Sequence, residues 1–496
     1  MESEDRPTIA GLLDKIRAYH PGADLDLVRL TYDFAAEAHK GQVRKSGEPY
    51  IVHPLAAAHY LADLKIDPVI ICATLLHDVP EDTAVTLADI EKNFGAEIAS
   101  LVRGITKLGK LKYRGVERYI ENLRKMFVAM AEDVRVMIIK FADRIHNLKT
   151  LEALPPQKRY RVALESLEIY APIANRLGMD EMKGELEDLS FQYVYPKDYQ
   201  RVKALRAEKL SGKEEYFRHI IDKARRELEK SGIKSVQIYG RSKRLYSLYQ
   251  KLLRKDNEIA KIYDMVAIRI IVPTIADCYA ALGILHNLWK PLKGRIKDYI
   301  SQAKPNGYQS LHTTVFSDDG EIIEFQIRTV EMHEEAEYGV AAHWHYDERG
   351  ARLPKKEIKW VQELAEIQKD ILNKLSDLEE MKVDFLQTRI FVFTPQGDVI
   401  DLPEGATPVD FAYHIHTEVG NKCAGALIND KLVSLDTELK NGDVVDIIVD
   451  KNRRGPSQDW ANIVRTHTAR MHIKSQLKQQ EKTALTRWLK SVLPRK

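Results

Sequence analysis

The spacing of apolar residues changes along this chain, and each change limits the folds that the chain can adopt. Residues 8–150 carry apolar side chains at helical spacing, for example from Leu27 to His39 and from Val134 to Leu148. From about residue 232, strand-like segments alternate with helical ones, which is typical of an α/β domain. A chain of 496 residues also exceeds a single hydrophobic core. We therefore expect three or four domains.

The last third of the chain predicts a small module with a β-grasp, or ubiquitin-like, fold over residues 389–450. A hairpin signal runs from Phe391 to Ile400, a helix from Thr407 to His416 and a closing strand from Asp443 to Val449. The preceding residues 346–388 are strongly charged at helical spacing. We interpret them as a helical linker.

Composition limits where the protein acts and what it binds. The longest apolar runs fall short of the roughly 18 residues that cross a bilayer, and the acidic start is unlike a signal peptide, so we expect a cytoplasmic protein without a membrane partner. The cysteines Cys72, Cys278 and Cys423 form neither a disulfide framework nor a zinc motif. Residues 451–496 hold twelve Lys and Arg but two Asp and Glu, although the net charge is only +3. This basic helical segment favours a polyanionic partner, although a solvated helix is the commoner explanation.

A predicted helix terminus carries the first candidate metal ligands. The apolar run Ile70–Leu76 should end before His77 and Asp78, because Pro80 cannot continue a helix and disfavours helical conformation at Val79. Adjacent His and Asp side chains at such an end can both reach one metal ion. Two further carboxylates follow and could take a proton from a metal-activated water, Glu81 and Asp82.

Two more ligands are predicted on either side of this pair, His53 upstream and Asp143 downstream. Two imidazoles and two carboxylates suit a borderline divalent ion such as Mn²⁺ or Fe²⁺ better than a closed thiolate zinc site. Taken singly, His53 could cap a helix and Asp143 could pair with Arg144. The ordered set of four favours a metal centre.

Two basic segments are candidate anion sites. Arg44 and Lys45, just before His53, could hold an anionic or purine ligand beside the metal. In the α/β region a strand from Val236 to Tyr239 leads into Arg241 and Lys243, which should emerge at a helix N-terminus, a favourable place for phosphates. As an alternative, basic loops are often simply solvated.

Carboxylates on two predicted strands are candidates for a Mg²⁺ site that carries a nucleoside triphosphate. Asp264 opens the strand Ile262–Val272, and Glu324 lies on the polar face of a strand within Gly320–Arg328, where polar and apolar residues alternate. Surface ion pairs are the alternative. The segment Lys304–His312 combines a turn, an aromatic ring, amides and an imidazole, which suits recognition of a base, although a loop with a buried tyrosine looks similar.

In this order, the motifs closely resemble the long RelA/SpoT homologues, bifunctional stringent-response enzymes that make and hydrolyse guanosine tetra- and pentaphosphate. The resemblance covers essentially the whole chain and rests on His77–Thr83, Phe141–Asn147, Gly240–Lys243, Lys304–Thr313 and Ala341–Trp344. It implies an all-α HD-type hydrolase domain with a helical connector over residues 1–200, an α/β nucleotidyltransferase-like synthetase domain over 201–345 and a TGS domain over 389–450. The implied activities are those of a GTP diphosphokinase and a guanosine-3′,5′-bis(diphosphate) 3′-diphosphatase.

The resemblance also implies a role for each candidate residue. In the hydrolase, Mn²⁺ would be bound by His53, His77, Asp78 and Asp143, the water handled by Glu81 and Asp82, and (p)ppGpp held by Arg44, Lys45 and Asn147. In the synthetase, ATP phosphates would contact Arg241 and Lys243. Mg²⁺ and the 3′-hydroxyl of GDP or GTP would be served by Asp264 and Glu324, with Glu324 as the base. Guanine would stack on Tyr308, with Lys304, Asn306 and His312 around it.

Partners and control follow from the same resemblance. Deacylated tRNA and the ribosome are implied as partners of the full-length protein, and the TGS region is implied to bind RNA, with His414 or His416 as candidate contacts. Arg295–Asp298 is of the basic type found in bifunctional members, while Pro80 and Ile296 depart slightly from the family pattern. Because the family's later regions are missing, we expect residues 451–496 to begin a truncated regulatory region. We also expect antagonistic coupling of the two sites through the helical stretch Ala163–Leu189.

Two other functions compete with this prediction. An HD-linked tRNA nucleotidyltransferase would need a Gly-Ser followed by Asp-x-Asp on a strand, and the sequence has no such string. A non-enzymatic tRNA- or ribosome-binding regulator would require losses among the metal ligands, and none is lost.

Overall fold

The computed structural model describes residues 7–109, 126, 129–130, 132–234, 237–255, 257–258, 262, 265–304, 307–344, 389–396, 399–440, 442–453, 455–466 and 468–478. The chain divides into two units, Met1–Asn373 and Lys374–Lys496. The predicted linker 346–388 lies outside the described residues, as do Asp264 and Asn306. Within the described part of the chain, no helix combines the length and the apolar character that a membrane span requires.

The first half of unit 1 is a helical bundle, as the apolar spacing predicts. Its helices are α1 (Ile9–Tyr19), α2 (Leu25–Ala38), α3 (Val52–Asp63), α4 (Pro68–Leu76), α5 (Val79–Asp82), α6 (Leu87–Gly109), α7 (Arg135–Lys149), α8 (Pro156–Glu165), α9 (Ala171–Arg176) and α10 (Asp180–Val194). Helix α4 is almost entirely apolar, and its residues from Ile70 to Leu76 are buried. It therefore lies at the centre, packed against α2, α3, α6 and α7.

Pro80 does not act as the sequence suggested. Helix α4 ends at Leu76 as predicted, but Val79 and Pro80 open a new helical turn, α5. Proline is well tolerated in a first turn, because the first N–H groups of a helix have no partner within it and the proline ring presets φ. The expectation that Pro80 keeps Val79 out of a helix is therefore wrong. The break falls at His77 and Asp78.

Helix α10 is shared by the two halves of unit 1. The predicted connector Ala163–Leu189 is not continuous, because a π-helical turn at Ser166–Tyr170 and a break after α9 interrupt it. Helix α10 then packs on α7 and on two helices of the α/β domain, α13 (Leu245–Leu253) and α15 (Val330–Tyr338). Beside it, Val340 N–H donates to Leu177 O (2.8 Å). Gly339 (φ 54°) permits this approach, because a Cβ there would overlap with the backbone of Leu177.

A five-stranded sheet forms the α/β domain. Its strands are β1 (Gln237–Ser242), β2 (Val266–Val272), β3 (Lys297–Asp298), β4 (Leu311–Phe316) and β5 (Ile322–Thr329), in the order β1-β2-β5-β4-β3. Strands β2 and β5 run parallel, and the other neighbours are antiparallel. Helix α11 (Pro196–Leu210) precedes the domain, and α12 (Glu214–Lys230) and α14 (Ile275–Leu288) share a buried core with the sheet.

The alternation predicted for β5 is confirmed. Phe325 and Ile327 belong to the buried core, while Glu324 and Gln326 are only partly buried.

The boundaries of two strands differ from the prediction. Strand β1 continues through Ser242, so that Arg241 lies within the strand rather than at a helix terminus, and β2 begins at Val266 rather than at residue 262.

Unit 2 has the predicted β-grasp elements, and it also incorporates part of the basic segment. Its elements are the hairpin β6 (Arg389–Phe393) and β7 (Val399–Pro403), the helices α16 (Pro408–Ile415) and α17 (Thr417–Asn421), the sheet of β8 (Cys423–Ile428), β9 (Lys431–Val433) and β10 (Val445–Val449), and the turn α18 (Trp460–Ile463). Trp460, Val464, Ala469 and Ile473 pack on α16. The described part of the segment 451–496 is therefore not a free helix; residues 479–496 lie outside the described residues.

Each cysteine is buried in a different part of the fold, unpaired as predicted: Cys72 in α4, Cys278 in α14 and Cys423 in β8. Burial raises the pKa of the Cys72 and Cys278 thiols to about 12 and that of Cys423 to about 11. All three thiols are therefore protonated at neutral pH.

A buried carboxylate joins α16 to the chain that follows the β-grasp module. Asp410 is fully buried. Its Oδ2 accepts from the N–H (2.8 Å) and the hydroxyl (3.0 Å) of Thr407, and its Oδ1 accepts from the N–H and the hydroxyl of Thr466, both at 2.8 Å. The N–H of Arg465 donates to Oδ1 as well (3.0 Å). One side chain thus caps α16 and fixes the following segment on it.

We predict that Asp410→Ala destabilises unit 2 by roughly 3 kcal/mol or more, because each buried N–H left without an acceptor costs about 1–3 kcal/mol. Hydrogen exchange of the whole chain, followed by mass spectrometry, measures this as lost protection within residues 389–478. Asp446→Ala, at an exposed position of β10, is the control and should change stability by no more than about 0.5 kcal/mol. Equal protection in the two variants would contradict the assignment.

Candidate active sites

Two histidines and two aspartates converge where α3, the α4–α5 junction and α7 meet. His53 Nε2 lies 3.2 Å from Asp143 Oδ1 and 3.6 Å from Asp78 Oδ2. His77 Nε2 lies 3.2 Å from Asp78 Oδ1 and 3.9 Å from Asp143 Oδ1. Ligand atoms of His53, His77 and Asp143, all buried, lie within 4.8 Å of one another. The fold therefore brings together the four residues proposed as ligands from sequence.

The two imidazoles point their Nε2 atoms into this cluster. His77 Nδ1 lies 2.7 Å from the carbonyl oxygen of Thr74, to which it donates. Its buried Nε2 has no hydrogen-bond partner among the described residues. An imidazole nitrogen without a partner beside two carboxylates is a set of donors that suits a divalent metal ion.

The charges around the cluster keep its carboxylates ionised. Lys140 Nζ lies 2.6 Å from Asp143 Oδ2. Burial alone would raise the pKa of Asp143, but the ammonium of Lys140 holds it well below its usual value. Burial likewise opposes ionisation of Asp78, yet His77 contributes to lowering its pKa. Both carboxylates are in the form that binds a metal.

Of the two carboxylates proposed to handle water, Glu81 is half-buried and Asp82 is exposed. Burial raises the pKa of Glu81, which makes it a better proton acceptor. Asp82 Oδ2 lies 2.8 Å from the hydroxyl of Tyr50, and Asp78 Oδ2 lies 2.9 Å from the same hydroxyl. Tyr50 thus links the metal candidates to Asp82, a role that no local sequence pattern had indicated.

The proposed nucleotide contacts of this domain divide into two groups. Arg44 NH2 donates to Asn147 Oδ1 (2.7 Å), and Asn147 in turn donates to Asp143. Lys45 is exposed on the loop, and no contact to the cluster is found for it among the described residues.

His146, which was not predicted from the sequence, lies between Arg44 and His53, and burial lowers its pKa to about 3. Its position three residues after Asp143 on the same helix was the available signal.

A second site lies on the polar side of β5, in a cavity of about 310 Å³. It is lined by five of the predicted synthetase residues, Arg241, Lys243, Lys304, Tyr308 and Glu324. Asp264 and Asn306 lie outside the described residues, so their relation to the cavity is not described. Helices α9 and α10 also line the cavity, through Asn175, Asp180, Lys183 and Glu187. No sequence signal had assigned these four residues to the site.

A chain of hydrogen bonds ends on Glu324. The hydroxyl of Tyr308 lies 2.8 Å from His312 Nε2, and His312 Nδ1 lies 3.1 Å from Glu324 Oε1. Burial lowers the pKa of His312, so that its neutral ring can accept from Tyr308 and donate to Glu324. Gln326 donates to the same oxygen (2.9 Å). The ammonium of Lys304 lies 4.7 Å over the Tyr308 ring, the ring proposed to stack on guanine.

Carboxylates from α10 and α15 contact Arg241. Arg241 NH1 lies 3.2 Å from Glu337 Oε1, and NH2 lies 3.8 Å from Glu181 Oε2. Arg269 NH1 lies 2.7 Å from the same oxygen of Glu337. The side chain expected at ATP phosphates is therefore already engaged by acidic groups.

Arg244, three residues after Arg241, is held on α10. Its NH2 lies 2.5 Å from Glu181 Oε1, and its NH1 lies 3.6 Å from Glu185 Oε2. The guanidinium lies against Gly184, where a Cβ would overlap with it. Asp188, one turn further along α10, accepts from the first two N–H groups of α13 (3.3 and 2.9 Å). It thereby caps a helix of the other domain.

Family models match three regions of the chain. The HD domain model matches residues 31–180, a model described as a region found in RelA / SpoT proteins matches residues 240–351, and the TGS domain model matches residues 390–449. The HD match and the His–Asp cluster together indicate a divalent metal ion in the first domain.

Curated relatives match along almost the whole chain. A guanosine-3′,5′-bis(diphosphate) 3′-pyrophosphohydrolase of Aquifex aeolicus is 48% identical over 471 residues, which cover 95% of this chain and 67% of that protein. A GTP pyrophosphokinase of Myxococcus xanthus is 46% identical over 473 residues (94% and 62%). The bifunctional (p)ppGpp synthase/hydrolase SpoT of Escherichia coli is 44% identical over 467 residues (93% and 66%). The chain spans about two thirds of the length of these relatives.

We predict that His77→Ala weakens binding of a divalent ion, with Mn²⁺ as the probe, by more than the ~10- to 100-fold loss typical of removing an outer-shell partner, because His77 is a candidate ligand. Isothermal titration of the metal-free chain measures this without any substrate. His59→Ala is the matched control, since His59 shares α3 with His53 but contacts the backbone of Thr8. Equal affinities in the two variants would remove His77 from the metal site.

Proposed function

Because this chain belongs to the RelA/SpoT family, we propose that it both makes and hydrolyses guanosine tetra- and pentaphosphate. In one reaction the pyrophosphoryl group of ATP passes to the 3′-hydroxyl of GDP or GTP, and AMP leaves. In the other, water releases pyrophosphate from the 3′ position. The observation that carries the proposal is that unit 1 contains both a His–Asp cluster suited to a metal and a separate cationic cavity.

For the hydrolase we assign Mn²⁺ to His53, His77, Asp78 and Asp143. A bound divalent ion supplies Lewis acidity that can lower the pKa of water to about 7. Glu81, whose pKa burial raises, accepts the proton of the attacking water. Asp82 assists from its hydrogen bond with Tyr50. The phosphates and the base of the substrate are assigned to Arg44, Lys45 and Asn147.

For the synthetase we assign Glu324 as the base that takes the proton of the attacking 3′-hydroxyl. Pyrophosphoryl transfer relies on positioning, charge neutralisation and removal of this one proton. The contact from His312 supports the role, because it orients the carboxylate. Mg²⁺ is assigned to Asp264 and Glu324, the ATP phosphates to Arg241 and Lys243, and guanine to Lys304, Asn306, Tyr308 and His312.

Deacylated tRNA and the ribosome are proposed partners of unit 2. The support is the TGS match over residues 390–449, together with exposed His414 and His416 at the end of α16. The basic residues after position 450 would add salt-dependent attraction to phosphates.

Two substitutions should separate the activities. We expect Asp78→Ala to abolish hydrolysis of guanosine tetraphosphate and to spare synthesis, because it removes a carboxylate from the metal cluster. We expect Glu324→Gln to lower synthesis by ~10²- to 10⁴-fold and to spare hydrolysis, because glutamine keeps the shape but cannot accept a proton. Chromatography of nucleotides after incubation with ATP plus GDP, and separately with the tetraphosphate plus Mn²⁺, measures both.

Asp63→Ala and Glu321→Gln are matched controls, since each removes an exposed carboxylate of the same domain that pairs with a lysine away from the site. Both controls should retain both activities. Normal hydrolysis by Asp78→Ala after Mn²⁺ titration would exclude Asp78 from the site, and near-normal synthesis by Glu324→Gln would reassign the base.

We propose further that α10 couples the two sites antagonistically. Glu181 contacts Arg241 and Arg244, so that it competes with ATP phosphates for the cations of the synthetase. Glu185 lies between Arg244 (3.6 Å) and Lys149 (2.8 Å), and Lys149 ends the helix that carries Asp143. A change of partners at Arg244 would thereby reach the hydrolase site.

The coupling predicts that an ATP analogue plus GDP weakens tetraphosphate binding by ~5- to 150-fold, the change in affinity that typical coupling free energies imply. Labelled tetraphosphate is titrated into the catalytically inert double variant Glu81→Gln/Glu324→Gln, with and without the analogue and GDP. Adding Glu181→Gln should reduce the effect, whereas Glu168→Gln, at an exposed position of the π-helical turn, should not. Superimposable curves with and without the analogue would mean that the sites do not communicate.

A further inference from the structure

The two ring nitrogens of His53 face different partners. Nε2 lies 3.2 Å from Asp143 Oδ1 and 3.6 Å from Asp78 Oδ2, inside the metal cluster. Nδ1 lies 2.7 Å from Nδ1 of His146 on α7. Two nitrogens at this distance share one proton, so one ring donates and the other accepts.

Arg44 decides which ring accepts. Its NH1 lies 3.1 Å from the same Nδ1 of His146, while its NH2 donates to Asn147. A guanidinium has donors only, so Nδ1 of His146 must present a lone pair and the proton of this ring sits on Nε2. The proton between the rings therefore belongs to His53 Nδ1. His53 is left with its lone pair on Nε2, the atom that faces the carboxylates.

We propose that His146 is a positioning residue for His53: as a hydrogen-bond acceptor, itself held by Arg44, it fixes the tautomer and the ring orientation in which His53 offers Nε2 to a divalent ion. The proposal rests on the metal-dependent hydrolase proposed above. It adds to that function a residue that is not itself a metal ligand. The role of His146 follows from its contacts with His53 and Arg44.

The second imidazole of the cluster is oriented in a different way. His77 donates from Nδ1 to the backbone carbonyl of Thr74. A backbone acceptor within α4 stays in place, whereas His146 is a side chain tied to Arg44, a residue assigned to the substrate. Substrate phosphates that draw Arg44 away would therefore release His146 and loosen His53, but not His77. Metal affinity and substrate binding are linked through this one ligand.

The test measures Mn²⁺ affinity by isothermal titration of the full chain without nucleotide. His146→Leu removes the acceptor and should weaken binding by ~10- to 100-fold, the usual effect of losing an outer-shell partner. His146→Asn restores an acceptor oxygen near the position of Nδ1 and should stay within a few-fold of the unsubstituted chain. His59→Leu, a histidine of α3 outside the cluster, should bind normally.

Two affinity results would overturn the proposal: unchanged affinity in His146→Leu, or equal losses in His146→Leu and His146→Asn, which would mean that only the shape of the ring matters. Nitrogen-15 spectra of the metal-free chain give a second measurement that does not depend on any variant folding. They should show His53 protonated on Nδ1 and His146 on Nε2; the reverse assignment would also overturn it. The two proposals can fail separately. If the chain does not hydrolyse the tetraphosphate but His146→Leu still lowers the affinity for Mn²⁺, the proposed function is refuted and the positioning role stands.

Discussion

The packing of the two halves of unit 1 against each other depends on Arg244, a cation of the α/β domain that contacts helix α10. Arg244 lies against Gly184 and pairs with Glu181 on α10, and Asp188 of the same helix caps α13. Burial alone would lower the pKa of Arg244, but Glu181 and its acidic neighbours raise it. A partly buried charge is stable only while its partner stays in place. The two domains therefore keep a fixed relation as long as α10 keeps this set of contacts. Helix α10 packs on α7, which carries Asp143, and its residues also line the cavity of the second site.

The two sites use the same chemical device on different scaffolds. In each, burial lowers the pKa of a histidine, so that the neutral ring has one donating and one accepting nitrogen. His53 turns its Nδ1 to His146 and its Nε2 to the aspartates, while His312 accepts from Tyr308 and donates to Glu324. In both cases neighbouring groups fix the tautomer, so that little reorganisation remains to be done when a ligand arrives.

Local periodicity was enough to predict the fold class and the position of Glu324 on the polar side of β5, because a side chain's face follows from strand spacing alone. It failed at Pro80, since a proline that ends one helix equally suits the first turn of another. The contacts of Tyr50 with Asp78 and of Arg244 with Glu181 join residues far apart in sequence, and nothing in a local pattern pairs them. His146 was within reach, three residues after Asp143, but its role depends on Arg44 from another segment.

The buried thiols have a consequence of their own. The helical bundle, the α/β domain and the β-grasp unit each contain one cysteine, held protonated in the interior. Only a thiolate in contact with solvent reacts readily with an alkylating reagent. The rate at which each thiol is modified therefore measures how often its own domain opens. Within a single chain, Cys72, Cys278 and Cys423 record three local unfolding equilibria separately.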